Sequence, residues 1–157
     1  MKILLTLLIA ALPALCWSAP KDDRIVSVQS QDAEMNAAIA KAQASLDEFL
    51  ALAGHPPAGA SEFRLKVRIH DAYGTEHMWV SPFRQTAGGF DGILADDPET
   101  VRSVHNGQKL AFTRAEVTDW GYVQNGKQKG SFTVCVLFKH MPKEEADQYR
   151  RDYGFEC

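Results

Sequence analysis

The sequence lacks most of the signatures that would assign it a chemistry. There is no nucleophile elbow, no phosphate loop and no dinucleotide glycine fingerprint, and Gly88-Gly89 alone reads as a flexible turn, so the common hydrolase and kinase plans are absent in motif form. Positive charge is not in excess: 17 Lys and Arg stand against 20 Asp and Glu, for a net charge of −3, which is no footprint for nucleic acid. Cysteine is scarce at three residues, with no paired cluster, and His55, His70, His77, His105 and His140 fall at no recognised metal-ligand spacing, so neither a metal nor a cofactor is expected. No repeat or low-complexity tract interrupts the chain. The longest apolar run, Ile3 to Leu15, is shorter than the roughly 20 residues a membrane helix needs.

That run has the plan of a secretory signal. Lys2 supplies the positive n-region, Ile3 to Leu15 the apolar segment despite Pro13, and Ser18 and Ala19 the small residues at the cleavage site. Cleavage after Ser18 places Cys16 two residues upstream, whereas cleavage after Ala19 puts Trp17 where a small side chain is wanted and Pro20 just past the bond. Leu15 stands before Cys16 where a lipoprotein signal has a small residue, which argues against a lipid anchor. Residues 1–18 are therefore read as a leader, 19–31 as a linker and 32–157 as one α+β domain, exported to the periplasm or secreted. The leader carries one lysine and no carboxylate, so the mature chain has a net charge of −4. Its two remaining cysteines, Cys135 and Cys157, pair as a disulfide in an oxidising compartment, closing a loop for which chain entropy gives about 3 kcal/mol; otherwise Cys135 is a core thiol.

Periodicity outlines the domain. Met35, Ile39, Ala42, Leu46 and Phe49 recur at helical spacing, so one long amphipathic helix is expected from the cap Asp32 to the stop at Gly54, Pro56 and Pro57. Phe63, Leu65, Val67 and Ile69 then alternate with Arg64, Lys66, Arg68 and His70, which reads as a half-buried strand with a solvated basic face. Glu76 to Phe83 is a second strand that Pro82 ends or confines to an edge, and Phe90 to Ala95 a third. Asp97-Pro98 opens a short helix to about Val104, and Asn106-Gly107 makes a turn. The β-rich stretch from Lys109 to Gln124 is broken near Asp119-Trp120, and Asn125-Gly126 marks a hairpin whose returning strand is Phe132 to Phe138. Pro142 to Gly154 is a terminal helix with Ala146, Tyr149 and Tyr153 on one side. The sum is α+β: five or six mostly antiparallel strands packed against a long N-terminal helix, with a short and a C-terminal helix.

Two clusters draw a chemist's attention. Glu76-His77-Met78-Trp79 sets a carboxylate and an imidazole beside an indole, but strand neighbours point to opposite faces, so Glu76 and His77 do not serve one substrate without a bulge. Asp119-Trp120 pairs a carboxylate with an aromatic at the chain interruption, where Asp commonly satisfies local backbone donors. Two principal readings follow. In the first, Trp79, Trp120 and Tyr122 with Glu76 and Asp119 form a patch that binds a partner protein in the envelope. In the second, Glu76, His77 or Asp119 acts as acid or base in a small envelope hydrolase; a structural envelope component is the third.

The ordered set Ala33-Glu34-Met35-Asn36, Glu76-His77-Met78-Trp79-Val80, Phe90-Asp91-Gly92-Ile93-Leu94 with Pro98, Asn106-Gly107, Thr118-Asp119-Trp120, Asn125-Gly126-Lys127 with Gly130, and His140-Met141-Pro142 resembles the YegJ-like bacterial family, a domain of unknown function. The resemblance runs from about Asp32 to Gly154. Domains of this type look like relatives of modules found in toxin–immunity settings, so the resemblance implies a binding protein, immunity-like in kind, more than an enzyme.

Overall fold

The computed structural model describes residues 33–157, so the leader, the linker and the Asp32 cap lie outside the described residues. Six antiparallel strands form one sheet in the order β4-β3-β2-β1-β5-β6. They are β1 (Ala60–Asp71), β2 (Gly74–Thr86), β3 (Gly89–Leu94), β4 (Lys109–Phe112), β5 (Val117–Gln124) and β6 (Lys127–Gly130). Among the described residues there are also four α-helices: α1 (Ala33–Ala44), α2 (Leu46–Gly54), α3 (Phe132–His140) and α4 (Lys143–Tyr153). None of these is long and apolar enough to cross a membrane.

Three strands separate β4 from β5, a span of about 19 Å in a flat sheet. The connection from Phe112 to Val117 includes a 3-10 turn, Arg114–Glu116, and even fully extended would reach only about 17 Å. The sheet must therefore curl, and its concave side holds the core. Phe49 of α2 sits at the centre of that side, with its ring 4.9 Å from Trp120, 5.8 Å from Phe63 and 5.9 Å from Phe83. Leu65, Val67, Val80, Leu94 and Val117 are fully or almost fully buried around it.

The expected long N-terminal helix is two short ones. The path bends at Ser45, whose hydroxyl donates to Lys41 O at 2.8 Å. The Trp120 indole inserts at the same place, donating to Ala42 O at 3.0 Å and to Ser45 Oγ at 3.2 Å. A side chain wedged into the helical ladder is a recognised cause of a kink.

Three further expectations are corrected. Pro82 neither ends β2 nor marks an edge: β2 lies between β1 and β3, and the cis Ser81–Pro82 peptide falls at the register shift between Val80 and Phe83. The Asp97–Val104 segment is not a helix, because carboxylates from the strands take its backbone donors. Glu76 accepts from the N–H of Glu99 and Val101 at 2.9 and 2.8 Å, and Asp71 from those of Arg102 and Ser103 at 2.6 and 2.9 Å. Finally, Phe132 to Phe138 is helix α3, not a returning strand; the hairpin at Asn125-Gly126 closes instead on β6. Both turn residues have positive φ, 50° and 76°, as that turn requires.

The loop between β3 and β4 carries a pH signature. Partial desolvation raises the Asp71 carboxyl, but hydrogen bonds from the N–H groups of Tyr73, Arg102 and Ser103, and from the Ser103 side chain, outweigh it and hold the group at about 2. A depressed carboxyl stabilises the fold above its unfolded pKa of about 4, and that contribution is lost as pH falls towards 2. Protection of the Arg102 and Ser103 amides, measured as exchange relative to the unstructured rate at each pH, is therefore expected to fall as pH drops from 4 to 2. With Asp71→Asn that acid step should vanish; a step of unchanged size in the variant would contradict this account.

Candidate functional site

The interruption read at Asp119 is a bulge inside a continuous strand. Val67 pairs with Val117 but Lys66 pairs with Asp119, so Thr118 and Asp119 together face Lys66 and the strand is re-aimed. Asp119 is 0% exposed, and both its oxygens are fully used. Oδ1 accepts from the N–H of Trp120 at 2.9 Å and of Phe132 at 3.2 Å; Oδ2 accepts from the Thr133 N–H at 2.8 Å and its hydroxyl at 2.7 Å. Asp119 thus caps α3 from a neighbouring strand. The residue at the cap position, Ser131, has φ 52° and ψ 39° and makes no side-chain cap of its own. Its buried hydroxyl has no hydrogen-bond partner among the described residues.

Lys66 completes the anchor. Its ammonium donates to Thr133 Oγ1 at 3.2 Å, and only 9% of the residue is exposed. Burial pushes Lys66 down, opposed by Asp119 and Asp96, and pushes Asp119 up, opposed by Thr133 and Lys66. The strand face expected to be solvated along its length therefore buries its central cation. Above it lies Trp79, with the Arg64 guanidinium 4.8 Å and the Lys66 ammonium 5.1 Å from the ring centroid. Such contacts contribute about 0.5–2 kcal/mol depending on desolvation. The Trp79 N–H donates to Asp96 Oδ2 at 2.6 Å, and Arg64 Nη2 donates to Gln128 Oε1 at 2.6 Å.

His77 shares this face. Thr118 donates its hydroxyl to Lys66 O at 3.3 Å, so the His77 Nδ1–H is the donor in its 3.0 Å contact with Thr118 Oγ1. Partial burial, then the Lys66 and Arg68 charges, lower the His77 pKa and favour the neutral ring. Arg68 and His77 are exposed, and the Arg68 side chain makes no hydrogen bond or ion pair among the described residues. The result is an aromatic and cationic surface on the side of the sheet away from the core.

The sequence-derived patch does not assemble as one surface. Trp79 and His77 lie on the outer face, but Trp120 is 8% exposed and stacked on Phe49, while Tyr122 stacks on Phe63 at 5.0 Å on the core side. Glu76 is turned from His77, as alternation requires, with both its oxygens on the 99–101 backbone. Glu76, His77 and Asp119 do not converge on a point where an acid and a base would meet one substrate. No group of three or more His, Cys, Asp and Glu side chains among the described residues has metal-binding geometry. Sequence reasoning missed Thr133, whose segment reads as a strand, and the pairing of Arg64 and Lys66 with Trp79, whose signal was the run of alternating cations.

Removing the cap has a calculable consequence. Asp119→Ala orphans two α3 N–H groups and leaves Lys66 buried without its counter-charge, for an expected loss of about 3–5 kcal/mol in urea denaturation. Adding Lys66→Met should recover about 1–3 kcal/mol of that loss. Strictly additive losses in the double variant would show that the two groups are not coupled.

The comparisons with known proteins agree with this whole-domain picture. The chain is 31% identical over 149 residues to "Uncharacterized protein YegJ" of Escherichia coli (strain K12), an alignment covering 95% of each. It is 26% identical over 81 residues to "Putative ankyrin repeat protein NMB1133/NMB1171" of Neisseria meningitidis serogroup B (strain ATCC BAA-335 / MC58), covering 52% of this chain and 32% of that one. No solved structure matches it significantly. The model of the family described as "Uncharacterized protein conserved in bacteria (DUF2314)" matches residues 32–157, through all six strands and four helices, and the chain belongs to that family.

Proposed function

We propose that the mature chain is an exported binding module that holds a partner protein against the outer face of its sheet. The observation that carries this reading is Trp79 packed against two cations, Arg64 and Lys66, on a face continued by Arg68 and His77. Large aromatics and arginines concentrate binding energy because they bury much area at modest entropic cost and retain directional polar contacts. The local charge is opposite to that of the whole chain, which favours a partner presenting carboxylates. The alignment with a putative ankyrin repeat protein is a second, weaker support, since ankyrin arrays present extended binding surfaces. Export rests on the Lys2 to Ala19 leader pattern.

The test is stoichiometric capture. Tagged, oxidised mature chain incubated with envelope extract is expected to retain one protein in a 1:1 complex that weakens as salt rises. Trp79→Ala and Arg64→Glu should each reduce affinity at least tenfold while circular dichroism and Tm show the fold intact. Equal retention by wild type and both variants would remove the outer face from the proposal, and failure to retain any protein would remove the binding reading itself.

A further inference from the structure

A second surface lies at the free edge of β6. The Gln128 N–H, on the side away from β5, donates to Gly154 O at 3.0 Å. Lys129 and Lys127 stand 3.0 and 3.7 Å from the Glu156 carboxylate, and Arg150 Nε donates to Cys157 O at 2.5 Å. Phe155 meets the Phe138 ring edge-on at 5.2 Å. Gly154 fits against the hairpin with φ 74°, where a Cβ would come 2.1 Å from Gly126 O. An edge strand leaves outward N–H and C=O groups that accept an added strand, and here the tail covers that edge with one backbone bond, at Gly154, and with the Glu156 carboxylate facing the two lysines.

The tail's polar contacts do not hold it alone. Lys127, Lys129 and Glu156 are 40–56% exposed, and ion pairs so open to water are weak. The covalent tie is the Cys135–Cys157 disulfide, which joins α3 to the last residue across a separation of 22 and keeps the tail at high effective concentration beside β6.

We propose that the β6 edge is a docking edge for an extended acidic segment of a partner protein, occupied in the oxidised chain by its own tail and latched by the disulfide. The tail itself displays the recognised chemistry: a non-helical segment with an aromatic, Phe155, followed by a carboxylate, Glu156. A second copy docking through the same edge would set lysine against lysine, so a partner strand carrying Asp or Glu is the complementary occupant. The latch opens by thiol–disulfide exchange with an external dithiol. One thiolate attacks a sulfur of Cys135–Cys157 to form a mixed disulfide, and the second thiolate displaces it. The reductant leaves as a disulfide, and Cys135 and Cys157 have gained two electrons and two protons.

The probe is a fluorescein-labelled hexapeptide copying residues 152–157 with serine for the terminal cysteine. The full chain bearing Cys135→Ser, Glu156→Lys and Cys157→Ser, its tail repelled from Lys127 and Lys129, is expected to bind the peptide saturably. Oxidised wild type should bind at least tenfold more weakly, dithiothreitol-treated wild type should fall between, and Lys127→Glu with Lys129→Glu in the released chain should abolish binding. Amide exchange at Gln128 reports whether the edge is bare, and circular dichroism reports the fold. Peptide binding by oxidised wild type equal to that of the released chain overturns the latch, as does unchanged Gln128 protection after reduction. No binding by a folded chain with a bare edge overturns the docking site. Trp79 and Arg64 are untouched throughout, so this result is independent of the outer-face reading.

Discussion

The buried carboxylate of Asp119 is the constraint on which the rest of the arrangement depends. An ionised group without solvent costs several kcal/mol, and four donors of about 1.5–3 kcal/mol each, two of them at the positive end of a helix, offset that cost. The consequence is positional. Asp119 fixes where α3 begins, and α3 carries Cys135 to the place where Cys157 can bond to it. Thr133, held by Asp119, in turn seats the Lys66 ammonium beneath Trp79. One bulge in β5 therefore links the outer face, the terminal helices and the tail.

Where a local rule decided the structure, the sequence was legible. Alternation from Phe63 to Ile69 gave β1, the Asn125-Gly126 pair gave the tight hairpin, and Gly154 closes α4 with φ 74°. Where tertiary partners decided it, the sequence was silent. The run from Phe132 to Phe138 is apolar on both periods, and the helix it forms is capped by a carboxylate thirteen residues earlier. Asp97-Pro98 has the chemistry of a helix start, but Glu76 and Asp71 reach across to claim the donors that the helix would have used later. The bend at Ser45 likewise needs Trp120, 75 residues away.

The same distinction explains the candidate site. Grouping Trp79 with Trp120 and Tyr122 relied on residue type, whereas a sheet sorts side chains by parity. The bulge makes the sorting invisible in sequence: Val117 and Trp120 both face the core although they are three positions apart, an odd offset, because two residues of β5 are spent opposite Lys66. Trp120 and Tyr122 consequently join the Phe49 cluster, and Trp79 is left with the cations. His77 and Trp79, joined by simple alternation on β2, did fall together.

The outer face also differs in kind from a row of exposed lysines. Lys66 is almost fully buried with its ammonium turned to Thr133, so the charge exposed on this face resides chiefly in Arg64 and Arg68. Burial also lowers Arg64, with the Glu62, Asp119 and Asp96 charges acting against it, yet a guanidinium retains its proton at any physiological pH. Its planar fork can stack on Trp79 while directing N–H groups outward, a geometry that an ammonium cannot reproduce. Lys66 thus serves the face by position, supporting the indole from below, while Arg64 serves it by charge. On the binding reading proposed above, that division would set the specificity of the surface: a fixed aromatic plane with permanent cations beside it would favour a carboxylate next to an apolar group over either one alone.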